Sequence, residues 1–211
     1  DNARLILNRG LKFGDALFET IRVMHGKALY VAEHYHRLME SVQLLQMTWS
    51  AGKDLKWFES ILNQYIQENS LSQARMRFMV YRAGAGLYTP VENNVNWLLE
   101  AAEVPWPDYA FNEQGQTFCL FKELYKPSYY LSRIKTTNVL VFVMAGLYMK
   151  QEATDNCFVL NEKGFVVEAM SSNIFVVKKN VVYTPPITDG VLPGIMRQQV
   201  LLCCKQMHLQ A

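Results

Sequence analysis

"FVVEAMSSNIFVV", residues 165–177, alternates β-branched and aromatic residues, breaks at a small polar cluster and resumes with the same composition. That is the pattern of strand, turn and strand. Glu168 sits inside the first arm. If the strand is buried, desolvating this carboxylate must be offset by a cation or a hydrogen-bond donor. The neighbouring segments extend the pattern. "QTFCLFK" (116–122), "NCFVLN" (156–161), "NIFVVKK" (173–179) and "VVYT" (181–184) read as further short strands, with a helix-like insertion over 138–151 and another helix starting near Pro193.

The first half reads differently. "AEHYHRLMESVQLLQM" (32–47) places Tyr35, Leu38, Val42 and Leu45 on one helical stripe, and "DLKWFESILNQYIQEN" (54–69) does the same with Leu55, Phe58, Leu62 and Tyr65. "RMRFMVY" (75–81) and "VNWLLEA" (95–101) read as strands joined by the glycine-rich loop "RAGAGLYTP". The proline-bearing stretch 103–115 is the expected linker, giving an N-terminal α/β domain over 1–103 and a second domain over 115–211. The closing "VLLCCKQMHLQA" reads as helix with no Gly or Pro to stop it, so the second domain is expected to continue beyond it.

Composition narrows the function. Half of the 211 residues are apolar, 19% are charged and the net charge is +2, which suits an enzyme-like globule and does not point to nucleic acid. No apolar run reaches the roughly 20 residues needed to cross a bilayer, and the first ten residues lack a signal-peptide pattern, so a cytoplasmic location is expected. Cys119, Cys157, Cys203 and Cys204 lack metal-ligand spacing and read as reduced structural thiols. The four histidines show no metal pattern either, and "AGAG" (83–86) lacks the lysine of a nucleotide loop and reads as a turn.

Four polar features remain. Lys135, at the start of an apolar helical stretch, is ordinarily a snorkelling surface residue, but desolvated it suits a Schiff base. Arg37, at the border of a helical stripe, is either a solvated charge or a guanidinium able to grip a phosphate with paired hydrogen bonds. "DGVLPGIMR" (189–197) opens a helix whose first N–H groups, those of Ile195 and Met196, could face an anion. Glu168 is the fourth. A lysine, an arginine, a helix N-terminus and a strand carboxylate are the set that pyridoxal 5′-phosphate requires: an amine for its aldehyde, two phosphate ligands, and an anion for its ring nitrogen.

The pattern resembles the class IV aminotransferase family, the fold-type IV pyridoxal-phosphate enzymes. The resemblance is carried by "NRGLKFGDALFETIRV" (8–23), "HYHRL" (34–38), "IKTTN" (134–138), "VVEAMSSNIFVV" (166–177) and "TPPITDGVLPGIMR" (184–197). It implies an α+β fold of two α/β domains with the cofactor at their interface, completed in a homodimer. It further implies that Lys135 carries the cofactor and shuttles the substrate proton, Arg37 binds the phosphate with the N–H groups of Ile195 and Met196, and Glu168 pairs with the ring nitrogen. Ser172 and Asn173, in the turn from Ser171, would lie beside the cofactor, and Phe13 and Phe18 would line the substrate pocket. "KTTNVL" is closer to the D-amino-acid and aminodeoxychorismate lyase branches than to the branched-chain one. Those branches often carry a second arginine five residues beyond the one matching Arg82, where this chain has Leu87. Arg75 and Arg77, on one face of a strand, could substitute for it.

The expected activity is therefore transfer of an amino group between an amino acid and a 2-oxo acid. The alternatives are aminodeoxychorismate lyase, releasing pyruvate and 4-aminobenzoate, and a cofactor-free binding protein on the same fold.

Overall fold

The computed structural model describes residues 8–105 and 108–210; within the expected linker, Trp106 and Pro107 lie outside the described residues. The chain forms two compact units. One comprises the residues up to Phe111 together with Lys135–Asn138, the other Asn112–Ile134 and the residues from Val139 onward. The expected single boundary assigned Lys135 to the second domain, whereas the segment Lys135–Asn138 belongs to the first unit.

In the first unit, the alternation in "ALFETIRVM" builds strand β1 (Ala16–Met24), with Leu17, Glu19, Ile21 and Val23 buried on one face. It lies in an antiparallel sheet with β2 (Lys27–Ala28), β3 (Ala74–Arg82) and β4 (Val95–Glu103), in the order β2-β1-β3-β4. A short helix α1 (Arg9–Phe13) precedes β1, capped by the Asn8 side chain. Helices α2 (Val31–Leu44) and α3 (Leu55–Glu68) follow β2. Asp54 caps α3 by accepting from the Trp57 N–H at 2.9 Å, and Phe58 packs edge-on against Phe78 of β3 with centroids 5.0 Å apart.

The α2 stripe is rotated from the expected one. Its buried residues are His34, Arg37, Leu38, Ser41 and Val42, while Tyr35 and Leu45 are half-buried. Polar residues take the inner face because the strand beneath carries a carboxylate, Glu19.

The outer edge of β1 is completed by residues distant in sequence. Leu17 pairs with Thr136, the Phe18 N–H donates to the Lys135 carbonyl at 2.9 Å, and the Thr137 N–H donates to the Ala16 carbonyl at 3.0 Å. Gly14 makes this docking possible. Its φ is +64°, and a Cβ there would lie 2.3 Å from the Asn138 Oδ1.

In the second unit, β5 (Phe118–Lys126) pairs in parallel with β6 (Asn156–Asn161), and β7 (Val166–Ala169) pairs antiparallel with β6. Helix α4 (Leu140–Gln151) connects β5 to β6 and supplies Ala145 to a core with Phe121, Cys157 and Val159. A small hairpin of β8 (Val176–Lys178) and β9 (Val181–Tyr183) leads to α5 (Ile195–Gln206). Contrary to the reading of an unstopped final helix, α5 ends at Gln206. His208 adopts φ +54°, and the Met207 and Leu209 N–H groups return to the Cys203 and Cys204 carbonyls, a closure made without glycine.

Candidate active site

Register sets the first cluster. With Leu17 opposite Thr136, Phe18 and Lys135 share a face of the extended sheet, and the Lys135 Nζ lies 4.6 Å from the centre of the Phe18 ring. Arg77, opposite Thr20 on β3, reaches diagonally to the same ring, with its guanidinium carbon 4.1 Å from the centre. Its buried Nε has no hydrogen-bond partner among the described residues, and the nearest carboxylate oxygen, on Glu100, is 4.0 Å away. Two cations thus flank one aromatic ring. Lys135 is held by strand pairing ahead of the apolar helix, not as that helix's first residue, since α4 begins at Leu140.

One residue along β1, on the helix-covered face, Glu19 receives the Arg37 Nε at 2.9 Å and Nη2 at 2.5 Å, and the His34 Nδ1 lies 2.6 Å away. Burial by itself would raise the pKa of Glu19, but hydrogen bonds from His34 and Arg37, with the charge of both, hold it below the usual carboxylate value. The Nε and Nη2 groups of Arg37 are thus engaged by Glu19, which fixes the plane of the guanidinium.

In the second unit, Glu168 finds its partner. Its Oε2 accepts from the Lys126 Nζ at 2.8 Å and its Oε1 from the Leu192 N–H at 2.5 Å. The adjoining turn is tied to the same loop: the Ala169 N–H donates to the Ser172 carbonyl at 2.9 Å, and the Asn173 Nδ2 to the Leu192 carbonyl at 3.0 Å. Gly194 caps α5 without a side chain, which leaves the first-turn N–H groups, those of Ile195 and Met196 among them, with no intrahelical acceptor. Glu168, Ser172, Asn173 and the start of α5 are therefore brought together as the motif order suggests.

Other expected site residues are placed elsewhere. Arg82 is a structural clamp rather than a substrate ligand. It is buried, and it donates to Asp15 at 2.9 Å, Asn93 at 2.6 Å and the Leu45 carbonyl at 2.7 Å. Arg75 is exposed on β3 opposite Arg22, two residues from Arg77 on the same face. Phe13, at the end of α1, packs against Tyr88 with ring centres 5.8 Å apart and lies beneath the Arg9 guanidinium. Glu19 and Lys126 were missed by the sequence reading. Glu19 carried the same signal as Glu168, a carboxylate inside an alternating strand, whereas Lys126 carried none. Among the described residues no group of His, Cys, Asp and Glu could hold a metal, and no helix is long and apolar enough to cross a membrane.

The family model for class IV amino-transferases matches residues 16–211. The chain belongs to the class IV aminotransferase family. It is 30% identical over 213 residues to a D-alanine aminotransferase of Bacillus licheniformis, covering 95% of this chain and 69% of the relative. Among solved structures it is similar to a candidate 4-amino-4-deoxychorismate lyase from Legionella pneumophila, with a TM-score of 0.87 at 23% identity over 97% of this chain and 74% of that one. It is also similar to the branched-chain aminotransferase of the thermophilic archaeon Thermoproteus uzoniensis with norvaline, with a TM-score of 0.83 at 22% identity over 97% and 70%. At these identities the structural likenesses establish the fold, and the α+β fold-type IV expectation holds.

Class IV aminotransferases are pyridoxal-phosphate enzymes, and the residues of this chain fit that group. A Cβ at Gly194 would fall 1.9 Å from the Asn173 Oδ1, so only glycine allows the turn to approach the uncapped helix end this closely. Such an end attracts a phosphate. Glu168 keeps acceptor capacity, because an ionised carboxylate offers about four lone-pair sites and two are used. Lys135 is half-buried, with its Nζ against the Phe18 ring, within reach of an aldehyde bound at that surface.

Proposed function

We propose that this class IV enzyme transfers an amino group between an amino acid and a 2-oxo acid with pyridoxal 5′-phosphate as cofactor. When bound, the cofactor supplies an aldehyde that captures amines and a ring that draws electrons from the adjacent substrate carbon. Lys135 would carry the cofactor and, once amine exchange with the substrate frees its Nζ, would move the proton from the substrate carbon to the cofactor carbon that held the aldehyde. Arg37, oriented by Glu19, would be a phosphate ligand. Glu168 would face the ring nitrogen, the Ile195 and Met196 N–H groups the phosphate, and Ser172 and Asn173 would lie beside the ring.

The observation that carries this reading is the arrangement of Lys135 and Arg77 about Phe18. A base for the proton and a guanidinium for the substrate carboxylate stand at one aromatic surface, so a substrate anchored by its carboxylate presents its α-carbon to the base. Phe18, with Phe13 further along, would line the pocket, and Arg75 would add positive charge at its rim. The reading carries with it the homodimer that the resemblance implies and the cytoplasmic location expected from the sequence.

The test is the visible spectrum of the protein with added pyridoxal phosphate, before and after borohydride, followed by peptide mapping. A band that bleaches and leaves the cofactor on Lys135 supports the reading, as does keto-acid formation matched to amino-acid loss. Pyruvate and 4-aminobenzoate from aminodeoxychorismate would move the assignment to the lyase. No band and no labelled lysine would overturn both and leave a cofactor-free binding protein.

A further inference from the structure

Resting on the reading of Glu168 as the partner of the ring nitrogen, we propose that Lys126 is its positioning residue: it keeps the Glu168 carboxylate ionised and fixed in orientation. Three observations support this. Lys126 is 7% exposed and Glu168 5%, so each is a buried charge whose partner is the other. The two oxygens of Glu168 are held from different directions, one by Lys126 at the end of β5 and one by the Leu192 N–H, so the carboxylate cannot rotate without breaking a bond.

The third observation is the strand itself. β5 pairs Phe121 with Val159 and Lys126 with Asn161, five steps along one strand against two along the other. The extra residues break the ladder just before Lys126, and irregularities of this kind re-aim a side chain. The Nζ arrives 2.8 Å from Glu168 and 5.8 Å from the centre of the Phe142 ring, with an aromatic neighbour and a carboxylate but little water. Burial lowers the Lys126 pKa, and the adjacent carboxylate opposes that fall. Neither charge is comfortable alone.

The consequence concerns one proton. With Lys126 present, Glu168 carries no proton, so the proton shared with the ring nitrogen comes from solvent or with the ligand. Without Lys126, the buried carboxylate takes up a proton in advance and supplies it on binding. Calorimetric titration of pyridoxal phosphate in two buffers of different ionisation enthalpy counts protons taken up. We expect Lys126→Met to take up about one proton fewer per site than the parent, and Lys126→Arg to restore the parental count. In a Glu168→Gln background, adding Lys126→Met should change nothing, because a residue acting through Glu168 has nothing left to act on.

A parental count in Lys126→Met, or an equal change in the Glu168→Gln background, overturns the inference. Should Lys126→Met alone fail to fold, Lys126→Met/Glu168→Gln, which buries no unpaired charge, is compared with Glu168→Gln, and any difference in count overturns it. Borohydride labelling of the parent separates the two levels. Without a label on Lys135 the cofactor reading falls and takes this inference with it, whereas a label with an unchanged count sinks the Lys126 assignment alone.

Discussion

Glu19 and Arg37 are joined by two buried hydrogen bonds, from Nε at 2.9 Å and Nη2 at 2.5 Å, which fix the plane of the guanidinium against β1. Breaking such a pair from one side strands a charge. Glu19→Gln is therefore expected to destabilise the first unit by about 3–5 kcal/mol, measured by denaturant unfolding. Arg37→Met/Glu19→Gln, with neither charge, should recover part of that loss. If the single variant costs less than the double, the pair is not what holds α2 in place.

The same carboxylate sets an acid limit. The pKa of Glu19 is depressed in the fold below the ordinary value of 4.5, so its contribution to stability is present above that value. It is lost as pH falls through the lower folded value. The unfolding midpoint of the parent should fall over this acid range, and in Glu19→Gln the fall should be shallower. Identical acid limbs in the two proteins would contradict the assignment.

Arg77 and Arg82 stand five positions apart on one strand and predict opposite phenotypes. Arg77, with a buried Nε that lacks a hydrogen bond, has little to lose in the fold. Arg77→Leu should raise KM for the amino acid about 10- to 100-fold, the effect of losing one or two charge-assisted hydrogen bonds, with a small change in stability.

Arg82 is spent on Asp15, Asn93 and backbone carbonyls. Arg82→Leu should cost about 3–5 kcal/mol and leave KM of the folded fraction near that of the parent. Steady-state kinetics beside thermal unfolding distinguishes the two arginines, and a KM effect at Arg82 without loss of stability would reverse the assignment.

Gly194→Ala tests the approach of the Asn173 turn to α5. The new methyl would overlap the Asn173 Oδ1 and push that side chain off the Leu192 carbonyl. A destabilisation of about 1–3 kcal/mol is expected, with weaker pyridoxal phosphate binding by fluorescence titration. Unchanged affinity would remove the helix end from the phosphate site.

The strands and helices were legible where one periodicity dominated. The helical stripe around Phe58 and Leu62, and the strands around Phe78 and Val159, follow from alternation or 3.6-residue spacing alone. The α2 stripe of Tyr35, Leu38, Val42 and Leu45 leaves out His34 and Arg37 because apolar spacing counts no polar residue, whereas the Glu19 carboxylate on the strand below draws both inward. Arg77 and Arg82 look alike in sequence; alternation puts them on opposite faces of β3, and only the partners on Asp15 and Asn93 reveal which is structural. Lys126 was illegible for a different reason. Its position depends on a break in strand register that the composition of "FCLFKELYK" does not signal.

The docking of Lys135–Asn138 along β1 also bears on how the chain is made. The Thr137 hydroxyl donates to the Gly14 carbonyl across a separation of 123 residues. At roughly 5–20 residues per second, a ribosome needs roughly 6–25 s to deliver that segment after β1 has emerged. During this interval the edge at Ala16–Phe18 offers unpaired amides to any extended neighbour, which makes it the place where a nascent or truncated chain is most exposed to pairing with another copy. The lysine on which the proposed chemistry depends thus arrives on the strand that closes this edge.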